Sequence, residues 1–315
     1  MRLGPGPEFD LIRRFVPDQV RHPNVRVGPG DDCAVVSANG LAISTDLSVE
    51  GTHFRREWLS GREIGGRATI AALSDLAAIA ARPIGVLVSL ALPEQDAGSF
   101  AEALMGGVRA ATGQQGAVLL GGDLARTEGP VVVDIVVVGE CSRPVLRSGA
   151  RPGDELWVTG ELGGSAAALR ALLEGVQPDP GAFERFARPT PRIREALWLA
   201  ERNVPAAMLD LSDGLGGDAA HLAAGSGVAV VLQPLELPLH ACATVQDGLS
   251  GGEDYELCFA ARASSVEPHA AEFYAQFGIR LTRVGHIEQG AGVWEWSGSG
   301  GRKPIRAGGF QHMTS

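Results

Sequence analysis

The run VVVDIVVVG, residues 131–139, constrains the fold more than any other stretch of the chain. β-branched side chains crowd a helix and sit well on a pleated surface, so such a run is a strand. It is apolar on both faces except at Asp134, which places it inside a sheet rather than at an edge. The flanking sequence supplies its partners: LAIST (41–45), GVLVSLAL (85–92) and AVLL (117–120) read as strands. Between them, 62–81 is an alanine-rich helix stopped by Arg82-Pro83, and 94–112 is a second helix.

CSRPVLRSGARPGD, residues 141–154, lacks periodicity and is rich in Arg, Pro and Gly, so we read it as a linker. Beyond it, strands at 155–159, 206–211, 228–233, 255–261 and 280–287 are interleaved with helices at 164–174, 191–202, 214–224 and 265–277. A Pro-rich turn follows the first of these helices, and a glycine-rich tail (289–315) ends the chain. The expected class is α+β, with two mixed α/β domains spanning 1–140 and 141–315.

Charge narrows the function. A net charge of −10 disfavours nucleic acid as a partner and suits a protein that collects cations. Cys33, Cys141, Cys242 and Cys258 form no C-x-x-C pair, and no Cys/His set has the spacing of a zinc site. The start, MRLGPGPEFDLIRRF, has no continuous apolar core, and no apolar run reaches the roughly 18 residues of a membrane span. A cytoplasmic protein with reduced thiols and no membrane partner is expected.

Acidic residues recur at strand ends and turns: GPGDD (Asp31, Asp32), STD (Ser44, Thr45, Asp46), LSDLAA (Asp75), GGD (Asp123), LDLSDG (Asp210, Asp213) and GGEDYE (Glu253, Asp254). Each alone also reads as a turn former or helix cap. Asp75 is different, because on a helix it shares a face with Ile64, Ala68, Ala71, Ala72 and Ile79. A carboxylate there needs a cation or a hydrogen-bond donor.

The chain has one lysine, Lys303, so neither a P-loop nor a protein-kinase strand lysine exists. No G-x-G-x-x-G string opens a helix after a strand. If nucleotide phosphates are handled, divalent metal and arginine must neutralise them. Carboxylates joined by Ser and Thr hydroxyls are the ligand type that Mg²⁺ takes.

GPGDDCAV, ISTDLSVEGTHF, LSDLAA, GGD, RSGARPGDELWVTG, LDLSDG and GGEDYELCF occur in this order and span nearly the whole chain. The ordered set resembles the thiamine-monophosphate kinase family, of the aminoimidazole ribonucleotide synthetase-like (PurM-like) superfamily. The resemblance implies PurM-like N-terminal and C-terminal domains and a homodimer formed through the N-terminal ones. It implies transfer of the ATP γ-phosphoryl group to thiamine monophosphate, assisted by several Mg²⁺ ions. Asp32, Ser44, Thr45, Asp46, Asp75, Asp123, Asp210 and Asp213 match the family's metal positions. Gly122, Asp123, Arg147 and Ser212 match nucleotide contacts, and His53, Glu253 and Phe310 match acceptor contacts. His53 on its own also reads as a surface-loop histidine. The acceptor's attacking oxygen is already largely ionised near pH 7, so no general base is assigned. Ala72 stands where the family often has Asn, Leu124 where Thr is common after GGD, and Phe310 where relatives carry Tyr or Trp. The alternatives are another ATP-dependent ligase or synthetase of the superfamily, or a catalytically silent nucleotide- or metal-binding protein.

Overall fold

The structure, a computed structural model, describes residues 25–27, 31, 33–36, 40–296 and 301–305. Its first sheet is built from β1 (Val25–Val27), β2 (Ala34–Val36), β3 (Leu41–Val49), β4 (Arg82–Leu92), β5 (Val118–Arg126) and β6 (Val132–Glu140). The strand order is β1-β2-β3-β6-β4-β5, so the apolar run lies between two neighbours, as its composition requires. Along β6, Val133, Ile135 and Val137 are buried on one face while the alternate residues keep partial exposure.

Helices α1 (Gly61–Ala78) and α2 (Ser99–Gln114) cover that buried face. Ser60 caps α1 through a capping box with Glu63, which satisfies two otherwise orphaned amides. Small residues let these two helices pack closely: a Cβ on Gly65 would meet the Leu104 carbonyl oxygen at 2.0 Å. The opposite face carries exposed Thr45, Leu47, Leu87 and Ser89.

The strand expected at 117–120 continues through GGD to Arg126, so this glycine pair is not a turn. Gly122 lies against β4, where a Cβ would sit 1.9 Å from the Val88 carbonyl oxygen. No side chain fits there, and the glycine allows the strand to pair.

The second sheet has the order β13-β12-β9-β11-β7-β10-β8. Its strands are β7 (Asp154–Thr159), β8 (Ala207–Asp210), β9 (Ala229–Leu232), β10 (Leu257–Arg262), β11 (Leu281–Glu288), β12 (Gly292–Trp296) and β13 (Arg302–Pro304). The last two lie in the glycine-rich tail, where the sequence reading assigned no strand. Trp294 pairs with Pro304, and β12 runs parallel to β9. The helices are α3 (Gly164–Leu173), α4 (Pro180–Ala187), α5 (Ile193–Glu201), α6 (Leu215–Ser226), α7 (Val245–Ser250) and α8 (Glu267–Phe277). Helix α4 occupies what the sequence suggested was only a turn. Asp179 caps it and Pro180 takes its first position, where a missing amide costs nothing. The linker at 141–153 contains no helix or strand. It is held near its middle, with Val145 N donating to Ile79 O at 3.2 Å and Met208 N to Leu146 O at 2.9 Å. No helix among the described residues is long and apolar enough to cross a membrane.

Candidate active site

LDLSDG leaves β8 and GGEDYE enters β10. These strands are antiparallel neighbours with Leu257 opposite Asp210, so both motifs emerge at one end of the sheet. Backbone bonds then zip the loops together. Leu211 N donates to Glu256 O at 2.8 Å, Tyr255 N to Leu211 O at 2.9 Å, and Glu253 N to Ser212 O at 2.8 Å. Glu253 and Tyr255 have φ of 57° and 50°, a conformation that costs a non-glycine residue about 1–2 kcal/mol. Strain of that size persists where surrounding bonds over-determine the backbone.

Glu256 supplies much of that constraint. It is fully buried and accepts from Thr159 Oγ1 at 2.6 Å and from Arg192 Nε at 2.7 Å. Arg192 Nη2 bonds its other oxygen, and Arg185 approaches the same oxygen at 3.4 Å. Asp254 accepts from Gly163 N at 2.9 and 3.0 Å. Burial pushes its carboxyl up to about 8 despite that amide.

The other half of the site comes from the first sheet and α1. The Asp75 helix face is buried at Ile64, Ala68, Ala71 and Ala72, as its spacing predicts. The carboxylate meets a donor: Ser44 Oγ donates to Asp75 Oδ2 at 2.5 Å. The Cys33 thiol donates to the Asp75 carbonyl oxygen at 3.3 Å, which ties the residue just after the aspartate pair to this helix. Within that pair, Asp31 Oδ2 accepts from Arg147 N at 3.2 Å and so holds the linker.

The turn after β3 delivers His53. Val49 N donates to His53 Nδ1 at 2.9 Å, so the ring proton belongs on Nε2. Asp46, Ser48, His53, Arg67, Glu253 and Tyr255 line one pocket between the two sheets' loops. The buried Arg67 guanidinium pairs with Glu253 and stacks on Phe186 with 4.3 Å to the ring centroid. Burial works to lower the Arg67 pKa, but Glu253 and Asp46 outweigh it and keep the side chain charged. Tyr255 is pushed well up by burial and by Glu253, with Asp46 and Asp210 adding to the effect.

Asp210 and Asp213 join Asp218 in a second carboxylate group. Asp213 N donates to Asp218 Oδ2 at 3.1 Å. Burial pushes the Asp218 carboxyl far up, and the charges of Asp213 and Asp210 push it further, with Arg147 opposing. Clustered oxygen ligands with surplus negative charge fit hard divalent cations and do not fit a soft metal.

Not every predicted residue joins these groups. Successive residues of a strand face opposite ways, so Thr45 points away from Ser44 and Asp46. Thr45 Oγ1 donates to Asp134 Oδ1 at 2.6 Å on the face not covered by α1 and α2. Register places Asp134 beside Ser89 and Ser89 beside Asp123, which puts Asp123 on that same face. Gly122 and Asp123 also border a groove of about 580 Å³ with Met105, Arg109 and Leu124. Ser212 lies between Asp210 and Asp213 in the zipped loops. Asp32 and Phe310 lie outside the described residues.

Sequence reasoning passed over Arg67 and Asp218 as site residues, and Asp134 as the partner of Thr45. Asp134 carried a signal as the one polar residue of an apolar run, and Asp218 follows Asp213 by five residues in the first turn of α6. Arg67 carried none, because its partner is 186 residues away.

The fold and this carboxylate-lined site define a class. Residues 30–141 match the AIR synthase related protein N-terminal domain, and residues 151–294 match the corresponding C-terminal domain. The chain is 39% identical over 301 residues to the thiamine-monophosphate kinase of Salmonella typhimurium, covering 89% of this chain and 90% of that protein. It is 33% identical over 299 residues to the enzyme of that name from Bacillus subtilis, covering 90% and 91%. Among solved structures, AaThiL complexed with AMPPCP and TMP aligns with a TM-score of 0.82 at 31% identity, over 97% of this chain and 96% of that one. The chain belongs to the thiamine-monophosphate kinase family.

Proposed function

We propose that this protein transfers the γ-phosphoryl group of ATP to thiamine monophosphate, giving thiamine diphosphate and ADP. The observation that carries the reading is the likeness, along 97% of the chain, to AaThiL complexed with AMPPCP and TMP. The site supports it chemically. Two anions must be brought together, so the chief obstacle is repulsion, and no strong general base is needed.

Ser44, Asp46 and Asp75 from the first sheet and α1, and Asp210 and Asp213 from the second sheet, would hold several Mg²⁺ ions; Asp32, Thr45 and Asp123 are further candidates. Bound there, these cations neutralise charge between donor and acceptor phosphates. Arg147 and Ser212, with Gly122 and Asp123, are the proposed nucleotide contacts. His53, with its proton on Nε2, donates to the acceptor, and Glu253 is aimed into the same pocket by Arg67. Phe310 is the proposed aromatic contact to the acceptor.

We further propose a homodimer formed through the N-terminal domain, taken as residues 1–140, with 141–315 completing the site. The uncovered face of the first sheet supports this, since Leu47 and Leu87 are exposed on it and the edge strand β5 is exposed throughout.

The test is incubation with ATP, Mg²⁺ and thiamine monophosphate, followed by chromatography. Thiamine diphosphate and ADP should appear in equal amounts, with unphosphorylated thiamine a poor acceptor. ADP formed without thiamine diphosphate overturns the reading.

A further inference from the structure

A second group of ligand-type side chains gathers at the start of α4. Asp179, His240 and Cys242 place one ligand atom each within 4.8 Å of one another. His240 Nδ1 lies 3.1 Å from Cys242 Sγ. Ligands of a tetrahedral zinc centre, at about 2.0–2.3 Å from the metal, stand about 3.5 Å apart, so small side-chain shifts suffice.

Each member is held in place. Asp179 Oδ1 accepts from Gly181 N at 2.9 Å and from Ala182 N at 3.0 Å, which fixes the carboxylate on the end of the helix. His240 N donates to Leu162 O at 3.0 Å, and Ala243 N donates to His240 O at 2.8 Å, closing a turn that curls Cys242 back toward the ring. Gly164 and Gly181 leave room for the imidazole, since a Cβ on either would lie 3.4 Å from Cδ2 or 3.2 Å from Nε2.

We propose that Asp179, His240 and Cys242 form a zinc-type transition-metal site that clips α4 to the 240–243 turn. The thiolate is a soft donor and the imidazole a borderline one, a pairing that selects Zn²⁺ over Mg²⁺, and the carboxylate is an oxygen ligand that zinc also takes. Thiolate and carboxylate together balance a divalent charge. Three protein ligands leave the fourth position to water, consistent with the exposure of Asp179 and Cys242. The metal ligand is the thiolate rather than the thiol, so metal uptake releases a proton. Arg170 lies near the thiol, but Asp247 pairs with it at 2.5 Å.

The experiment titrates chelator-treated full-length protein with Co²⁺, and separately with Zn²⁺, in saturating Mg²⁺. One equivalent of Co²⁺ should give a thiolate-to-metal charge-transfer band, and Zn²⁺ should displace it and raise the melting temperature. Cys242→Ser is a surface change, so its metal-free melting should match wild type. It should lose the band, and His240→Ala should weaken binding by about 100-fold or more. Asp75→Asn should leave the band intact. Absence of a charge-transfer band in wild type, or a band that persists in Cys242→Ser, overturns the site. Neither readout depends on kinase activity.

Discussion

Ser44 and Asp75 meet across the sheet–helix boundary, with the hydroxyl donating to the carboxylate at 2.5 Å. The contact satisfies one oxygen of a carboxylate set among buried alanines, but it does not neutralise its charge. Asp75→Asn tests whether the charge matters, because Asn keeps the acceptor and the size. If Asp75 holds Mg²⁺, turnover at limiting Mg²⁺ should fall by two to four powers of ten, about 3–5 kcal/mol. The metal-free protein should melt no lower than wild type, since a partly buried charge is gone. Turnover near wild type at limiting Mg²⁺ would show that Asp75 is no ligand.

Arg67 and Glu253 connect α1 to the GGEDYE loop, with the guanidinium buried against Phe186. Arg67→Met leaves Glu253 without its partner and should cost about 2–4 kcal/mol of stability. It should also raise KM for the acceptor more than it lowers kcat, because the pocket wall loosens while the carboxylate clusters stay. Combining it with Glu253→Gln should recover part of the stability loss. A strictly additive double mutant would mean the pair is not coupled.

Asp254 gives a pH signature. Its folded carboxyl sits at about 8, above the unfolded value near 3.9, so the folded state binds more protons between those values. Stability from this group is therefore complete at acid pH and is lost as pH rises through about 8. Residual solvent contact limits the effect to roughly 1–3 kcal/mol. Asp254→Asn should flatten the dependence of melting temperature on pH between 5 and 9, a range set by that linkage. An unchanged slope would assign the dependence to other groups.

The proposed assembly has a direct check. Light scattering at micromolar concentration should give twice the monomer mass. Leu47→Arg, on the exposed face of the first sheet, should shift the mass toward the monomer without unfolding the chain. A wild-type monomer refutes the dimer.

Much of this molecule was legible before folding. Val131–Val138 could only be an inner strand, and the spacing around Asp75 could only bury its face, because apolar periodicity reports which side of an element leaves water. Less was legible where a residue's role depends on a distant partner. The GGD glycines read as a turn, yet Gly122 serves strand pairing against Val88. The Pro-rich turn hid the cap and first residues of α4, and the tail hid β12 and β13, whose pairing partners are remote in sequence.

The ordered carboxylate motifs, their oxygen-only chemistry and the resemblance they carry were determined by the sequence itself, since each is local. Tertiary structure alone decided which of them share a face. Alternation along β3 sends Ser44 and Asp46 toward α1 and Thr45 to the other side with Asp134. Antiparallel pairing of β8 with β10 zips LDLSDG to GGEDYE. It also took the fold to bring Asp179 to His240 and Cys242, a set whose spacing matches no zinc motif. The physical reason is the same in each case: chemistry depends on distances of a few ångströms, and chain separation sets no such distance until the backbone has paired and packed.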